Sequence, residues 1–232
     1  MGKELDRIAA ERGHTVLGRL EPDTPISADA IQRTDVVIHF ASPESVLPYV
    51  QRWAELGKNI VVGTTGWQRD FEKVKGIVAE RNIGLVHASN FSIGVNIFFR
   101  LVRESARLMN NFAEYDVSVH EAHHKDKVDS PSGTALTAAR ILLEQIKRKK
   151  TILSEPPQGR IKPDQLQISS TRAGSIVGTH TITFDSLADS IELKHTAKNR
   201  TGFALGSLLA AEWVKDKRGL FTIEDVLSDI NQ

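Results

Sequence analysis

Residues 119–135, VHEAHHKDKVDSPSGTA, place three histidines, two lysines and three acids beside a Gly-Thr pair. His120, Glu121 and His124 match the zinc-protease pattern H-E-x-x-H, two imidazole ligands around a general base. That chemistry needs both histidines on one helix face. The local pattern is a strand's instead: Tyr115, Val117 and Val119 alternate with Asp116, Ser118 and His120. Four residues of extended chain span roughly 13 Å. His120 and His124 then cannot share an ion without a sharp bend, and no third-ligand signature follows. No metal is expected.

A second chemistry suits the same residue types better. His123 and His124 fall where the strand ends, and Lys127 follows a few residues later. Strand ends and the loops after them commonly present catalytic groups. Gly133 and Thr134, preceded by Pro131 and Ser132, open a helix. Free N–H groups at a helix start bind carboxylate or phosphate. One loop therefore offers a proton donor, cations and an anion cradle, as a small polyanionic substrate undergoing proton transfer requires. The competing reading is a polar surface loop with structural histidines.

Two further segments carry turn chemistry. Gly63-Thr64-Thr65-Gly66 follows one buried run directly, and Ala88-Ser89-Asn90-Phe91 follows the next. Both are expected at the carboxyl edge of a parallel sheet, where open α/β folds bind ligands. Glycine permits close backbone approach, and Thr and Asn supply hydrogen bonds to a polar ring or carboxamide. Ordinary turn formation would select the same residues.

The elements that must position these groups can be read from periodicity. Residues 14–20, 35–40, 59–65 and 83–88 are short β-branched runs, three of them almost continuously apolar, as strands buried on both faces should be. Helices are expected over 43–56, capped by Ser42 and stopped by Gly57, and over 67–81. This alternation predicts a doubly wound parallel sheet. After about residue 90 the pattern becomes α+β. Residues 97–109 and 134–150 read as helices, the latter ending in four basic residues assigned to a solvated helix end. Residues 115–124, 166–186 and 189–197 alternate like antiparallel strands, in a sheet with one face expected to be open. Two helices, 202–217 and 222–230, close the chain.

Composition removes several function classes. The chain has 232 residues, 40% of them apolar, enough for one large domain or two smaller ones. A formal net charge of +1 gives no field that favours nucleic acid or an anionic membrane. The absence of cysteine excludes disulfides, thiolate metal sites and cysteine nucleophiles. No apolar run approaches the roughly 20 residues of a membrane helix, and residues 1–14 lack the apolar core of a secretory signal. A cytoplasmic location is the expectation.

EAHHKDKVDSPSGTA, GTTGW and ASNFSIGVN, in this order, together with RAGSIVGTHTITF and GLFTIEDVL, resemble the 4-hydroxy-tetrahydrodipicolinate reductase (dihydrodipicolinate reductase) family. The similarity runs along essentially the whole chain; the histidine motif is highly specific and GTTG alone is not. The resemblance implies an oxidoreductase of lysine and diaminopimelate biosynthesis that uses NADH or NADPH. It implies hydride transfer to C4 of a cyclic dicarboxylate with loss of water. It assigns His123 as proton donor and acceptor and Lys127 as a second proton donor. His124, with Ser132, Gly133 and Thr134, would bind substrate. Gly63, Thr64, Thr65, Ala88, Ser89, Asn90 and Phe91 would hold the nicotinamide end of the cofactor. It further implies a Rossmann-like cofactor domain of residues 1–91 and 201–232. An α+β substrate and oligomerisation domain of residues 92–200 would build a homotetramer.

The amino terminus departs from that pattern. The family opens with a buried strand and a G-x-G-x-x-G turn that lets backbone approach the pyrophosphate. Here Met1-Gly2 stands immediately before a helical pattern with Leu5, Ile8 and Ala9 on one face. Gly2 reads as the last glycine of the fingerprint, with the first strand missing; otherwise Met1 is a true start. The expectation is weak dinucleotide binding and reduced stability. Glu21 occupies the place of the acid that bonds the ribose 2′-OH, while Arg19 could accept a 2′-phosphate, so use of both NADH and NADPH is expected. Two competing readings stand: a cofactor-impaired chain acting as an assembly unit, and a zinc-dependent hydrolase.

Overall fold

The computed structural model describes residues 1–20 and 27–230. Two compact units emerge, Met1–Asn96 with Arg200–Gln232, and Ile97–Asn199.

The first unit is built on four parallel strands: β1 (Val36–His39), β2 (Asn59–Val62), β3 (Gly84–His87) and β9 (Gly219–Thr222), in the order β1-β2-β3-β9. Each of the four residues of β2 is buried, as a central strand with helices on both faces must be. Its period of two splits them between layers. Ile60 and Val62 pack with Val46, Val50, Trp53, Val74 and Val78 of helices α3 (Val46–Glu55) and α4 (Phe71–Arg81). Val61 packs on the other face with Val86 of β3, Ala210 and Val214 of helix α7 (Thr201–Val214) and Val226 of helix α8 (Ile223–Ile230). Each such fully buried aliphatic side chain is worth about 1.5–3 kcal/mol. Gly57, at φ 67°, stops α3 as expected, and Asn82 stops α4 in the left-handed region at φ 51°. The buried Asn59 amide donates to the carbonyls of Val214 and Lys215 (both 2.7 Å) and accepts from the Gly84 N–H (2.8 Å), joining the end of α7 to the sheet.

The remaining helices of this unit are α1 (Gly2–Glu11) and α2 (Ala28–Arg33). Ile8 and Ala9 of α1 pack on Ala204 and Leu208 of α7. No strand precedes α1 among the described residues. The strand expected over residues 14–20 is absent, and this segment is irregular and largely exposed. A strand needs a ladder partner for its backbone groups, and none lies beside it among the described residues. Conversely β9, which pairs with β3, lies where a loop between two helices was expected.

The second unit carries β4 (Asp116–His123), β5 (Thr151–Leu153), β6 (Gln165–Arg172), β7 (Thr179–Asp185) and β8 (Ser190–Thr196), in the order β5-β6-β4-β7-β8. The sheet is mixed, not wholly antiparallel: β4 runs parallel to β6 and antiparallel to β7. Along β4, Val117, Val119 and Glu121 are buried, while Asp116, Ser118 and His120 are exposed. The covered face lies under helix α6 (Gly133–Gln145), whose Ala135, Ala138, Ala139 and Leu142 are buried. Helix α5 (Ile93–Met109) leads into this unit and begins earlier than its periodicity suggested.

Helix α6 ends at Gln145, short of the expected Lys150, because Ile146 turns extended and buries its side chain completely. The basic run after it is not a solvated end. Lys149 is only 3% exposed; its ammonium meets Asp116 Oδ1 at 2.6 Å and the Gln165 carbonyl at 2.7 Å. Arg148 donates to the carbonyls of Met109, Asn110 and Tyr115.

Candidate active site

In the second unit, β4 is a strand through His123, so the H-E-x-x-H letters do not form a zinc-protease helix. His120 points to the exposed face, with Nε2 3.1 Å from Thr171 Oγ1. His124 is half-buried in the loop beyond the strand. The structure does not bring these two into a ligand set with Glu121, and the hydrolase reading fails on that geometry.

Glu121 and His123 share the covered face because they are two apart on a strand. Glu121 is fully buried. Its Oε2 pairs with His123 Nδ1. Arg172, at the end of β6 and in register with His123, grips the same carboxylate through two N–H groups, at 2.7 and 3.0 Å. The Ser132 N–H adds a contact to Oε1 at 3.3 Å. Burial pushes the Glu121 carboxyl up, but hydrogen bonds from Arg172, Ser170 and His123 outweigh it and hold the group at about 2. The carboxylate is therefore charged at neutral pH and fully engaged.

His180 of β7 completes the cluster. Its ring stands edge-on to His123, with centroids 5.2 Å apart, and its Nε2 lies 3.1 Å from Ser132 Oγ. Burial first, and the His123 ring second, push His180 down to about 4, so it stays neutral. Ligating atoms of Glu121, His123 and His180 all lie within 4.8 Å of one another, a grouping the sequence reading did not anticipate. A cation there would have to displace the Arg172 fork from Glu121, and the bonded geometry is that of an ion-pair network. Beside it, His123 Nε2 lies 2.9 Å from where a Cβ on Gly178 would stand. Glycine leaves that side of the imidazole its space.

The loop after β4 carries the remaining residues. Its start is pinned by Ala173 N–H donating to the His123 carbonyl, and its later part by Arg172 donating to the Asp129 carbonyl at 2.6 Å. Lys127 Nζ donates to Asp129 Oδ1 at 2.6 Å. That bond, ahead of the opposing burial, holds the Asp129 carboxyl below its usual range. Ser132 caps α6, its Oγ accepting the Ala135 N–H at 3.2 Å. Gly133 is exposed and Thr134 half-exposed at the helix start, where backbone N–H groups and the helix dipole favour an anion.

In the first unit, Gly63, Ser89, Asn90 and Phe91 line one cavity of about 220 Å³, together with Met1, Phe40, Arg200 and Phe203. It opens beyond the carboxyl ends of β2 and β3, where doubly wound folds take dinucleotides. A side chain on Gly63 would collide with the Phe40 ring, only 2.0 Å from its Cβ position. Phe40, Phe91 and Phe203 give the cavity aromatic walls. Thr64 is buried, and its hydroxyl meets His39 Nδ1 at 2.9 Å and accepts the Ala41 N–H at 3.0 Å. It fastens the ends of β1 and β2 together. Thr65 is exposed and Ala88 packs into the core. The Asn90 side chain caps its own turn by accepting the Ser92 N–H at 2.8 Å. Gly2 begins α1, and its neighbour Met1 reaches the cavity. Arg19 is paired with Asp6; Glu21 lies outside the described residues.

Sequence reading missed Arg172 and His180, although both stand in the RAGSIVGTHTITF motif. His180 alternates with buried Ile182 and Phe184, a parity that marks it as inward-facing. Arg172 ends a strand, and only the β4–β6 pairing brings it to Glu121.

Both parts of the chain match known proteins. Residues 2–91 match the model of the family "Dihydrodipicolinate reductase, N-terminus", and residues 94–227 that of its C-terminus. A 4-hydroxy-tetrahydrodipicolinate reductase of Christiangramia forsetii is 40% identical over 99% of this chain and 95% of its own length. That of Chromobacterium violaceum is 40% identical over 87% of this chain and 78% of its own. The fold is shared with a dipicolinate-bound dihydrodipicolinate reductase from Paenisporosarcina sp. TG-14 (TM-score 0.75, 21% identity, 95% of this chain and 92% of that one).

Proposed function

The chain belongs to the dihydrodipicolinate reductase family, and from that premise we propose how its residues divide the work. It is an NAD(P)H-dependent oxidoreductase that reduces 4-hydroxy-tetrahydrodipicolinate to tetrahydrodipicolinate, a step of lysine and diaminopimelate biosynthesis. The relatives that carry this name span nearly the whole chain, which favours the enzyme over an assembly unit. When bound, the reduced nicotinamide supplies a hydride. The reaction takes up one proton as the 4-hydroxyl departs as water.

His123 is our choice for the group that handles that proton at the ring, with Lys127 as a second donor. His124 and the Ser132-Gly133-Thr134 helix start hold the substrate carboxylates. The observation that carries this reading is that one carboxylate serves both parts. Glu121 holds His123 through Oε2 and the Ser132 N–H through Oε1. The proton-handling ring and the anion-binding helix start are thereby fixed in one frame. In the first unit, Gly63 and the Ser89–Phe91 turn receive the nicotinamide end, and Thr64 sets the position of Gly63. The β4 face bearing Ser118 and His120 suits association of copies, and we assign a cytoplasmic homotetramer.

The test is steady-state oxidation of NADH and of NADPH, with the hydroxylated dicarboxylate generated enzymatically in the cuvette. Substrate-dependent loss of nicotinamide absorbance is the expected result. Oxidation independent of the dicarboxylate, or none with either cofactor, would remove the reading.

A further inference from the structure

We infer that Glu121 and Arg172 are positioning residues that fix the tautomer of His123, holding its proton on Nδ1 and leaving Nε2 for the reaction. The inference rests on the assignment of His123 to proton transfer. It starts from the bonding capacity of one carboxylate. An ionised carboxylate accepts hydrogen bonds and cannot donate them. The imidazole nitrogen facing it must therefore be the protonated one, which is Nδ1. The opposite nitrogen, Nε2, faces Gly178, which has no side chain.

A carboxylate can impose a tautomer only if it cannot rotate away. Three observations hold this one. Both Arg172 N–H groups reach it in a fork, at 2.7 and 3.0 Å, a geometry that fixes plane as well as distance. Arg172 is itself held by the carbonyls of Asp129 (2.6 Å) and Thr171 (2.9 Å). The Ser132 N–H occupies a further lone pair of Oε1. Arg172 lies 51 positions from Glu121 in the chain and meets it through the parallel β4–β6 ladder. The logic matches the aspartate that orients histidine in serine-protease triads, where an amide in place of the carboxylate selects the wrong tautomer.

The experiment uses the full chain, labelled with ¹⁵N-histidine. His123 is assigned by the signal that disappears in His123→Gln. At a pH where the ring is neutral, the wild-type pattern should show the proton on Nδ1. In Glu121→Gln, Arg172 retains the amide oxygen and the amide N–H₂ turns to the ring. The proton should move to Nε2, kcat should fall about 10²-fold or more, and KM for the dicarboxylate should change far less. Glu121→Asp restores the acceptor and should return the Nδ1 signal. A wild-type ring protonated on Nε2, or Glu121→Gln with an unchanged tautomer, would overturn the proposal. The tautomer needs no turnover to be read. If His123→Gln remained active, the proton-transfer assignment would fall while the tautomer result still decided this one.

Discussion

Glu121 and His123 lie two residues apart on β4, and the strand period turns both onto the covered face, where the carboxylate meets Nδ1. The pairing needs no loop to arrange it. A rigid strand, with Arg172 entering from the adjacent one, sets the ring before any ligand arrives. Pre-organisation of this kind makes sub-ångström changes beside the ring costly.

Gly178→Ala is such a change. The added methyl would stand 2.9 Å from His123 Nε2, and the ring cannot retreat while Glu121 holds its other side. A displacement of ~1 Å at a reacting group can cost about 10²-fold. We expect kcat to drop at least about tenfold, with a stability loss within the ~1–3 kcal/mol of local overpacking. Steady-state kinetics beside a melting curve separates the two effects. Unchanged kcat would mean that Nε2 is not the reacting side.

Asp129→Asn should act in the opposite direction. Lys127 is paired with Asp129 at 2.6 Å, and Asp129 is more than half exposed. An incoming carboxylate must compete with it for that ammonium. Exposed pairs contribute about 0.2–1 kcal/mol, so the variant should bind dicarboxylate up to about fivefold more tightly. Calorimetric titration with pyridine-2,6-dicarboxylate reads this directly. Weaker binding would show that Asp129 orders the loop for the substrate.

Acid stability should decline in two phases. His180 sits at about 4 against an ordinary 6.5, so the unfolded chain takes up that proton first, and stability is lost as pH falls from 6.5 towards 4. Glu121 sits at about 2 against an ordinary 4.5. Its contribution is complete above 4.5 and is lost as pH falls through 2, on the order of 3 kcal/mol in all. Denaturant midpoints measured across this range should show His180→Gln flattening the upper phase and Glu121→Gln the lower. Slopes identical to wild type in both variants would contradict the assignment.

Much of this arrangement was legible before the structure. Periodicity gave the buried strands β1 to β3 and the alternating β4, and the strand period was enough to reject the zinc pattern. What sequence hid were relationships made by pairing. Residues 14–20 carry strand-like side chains, but ladder partners decide whether a strand forms. Lys149 looked solvated until Asp116 and the Gln165 carbonyl enclosed it. Nothing local to Thr64 says that its hydroxyl is engaged by His39 and Ala41. Arg172 was visible only as one letter in a motif, since nothing local says that β6 runs parallel beside β4.

The central claim is that His123 and Lys127 handle the proton of a nicotinamide-dependent reduction. The most direct measurement is the rate of NADH or NADPH oxidation with enzymatically generated 4-hydroxy-tetrahydrodipicolinate, comparing wild type with His123→Gln and Lys127→Ala. Removal of a proton-transfer group costs about 10²–10⁴-fold. We predict losses in that range for both variants, with melting temperatures near wild type. Folded variants that turn over at the wild-type rate would contradict the account.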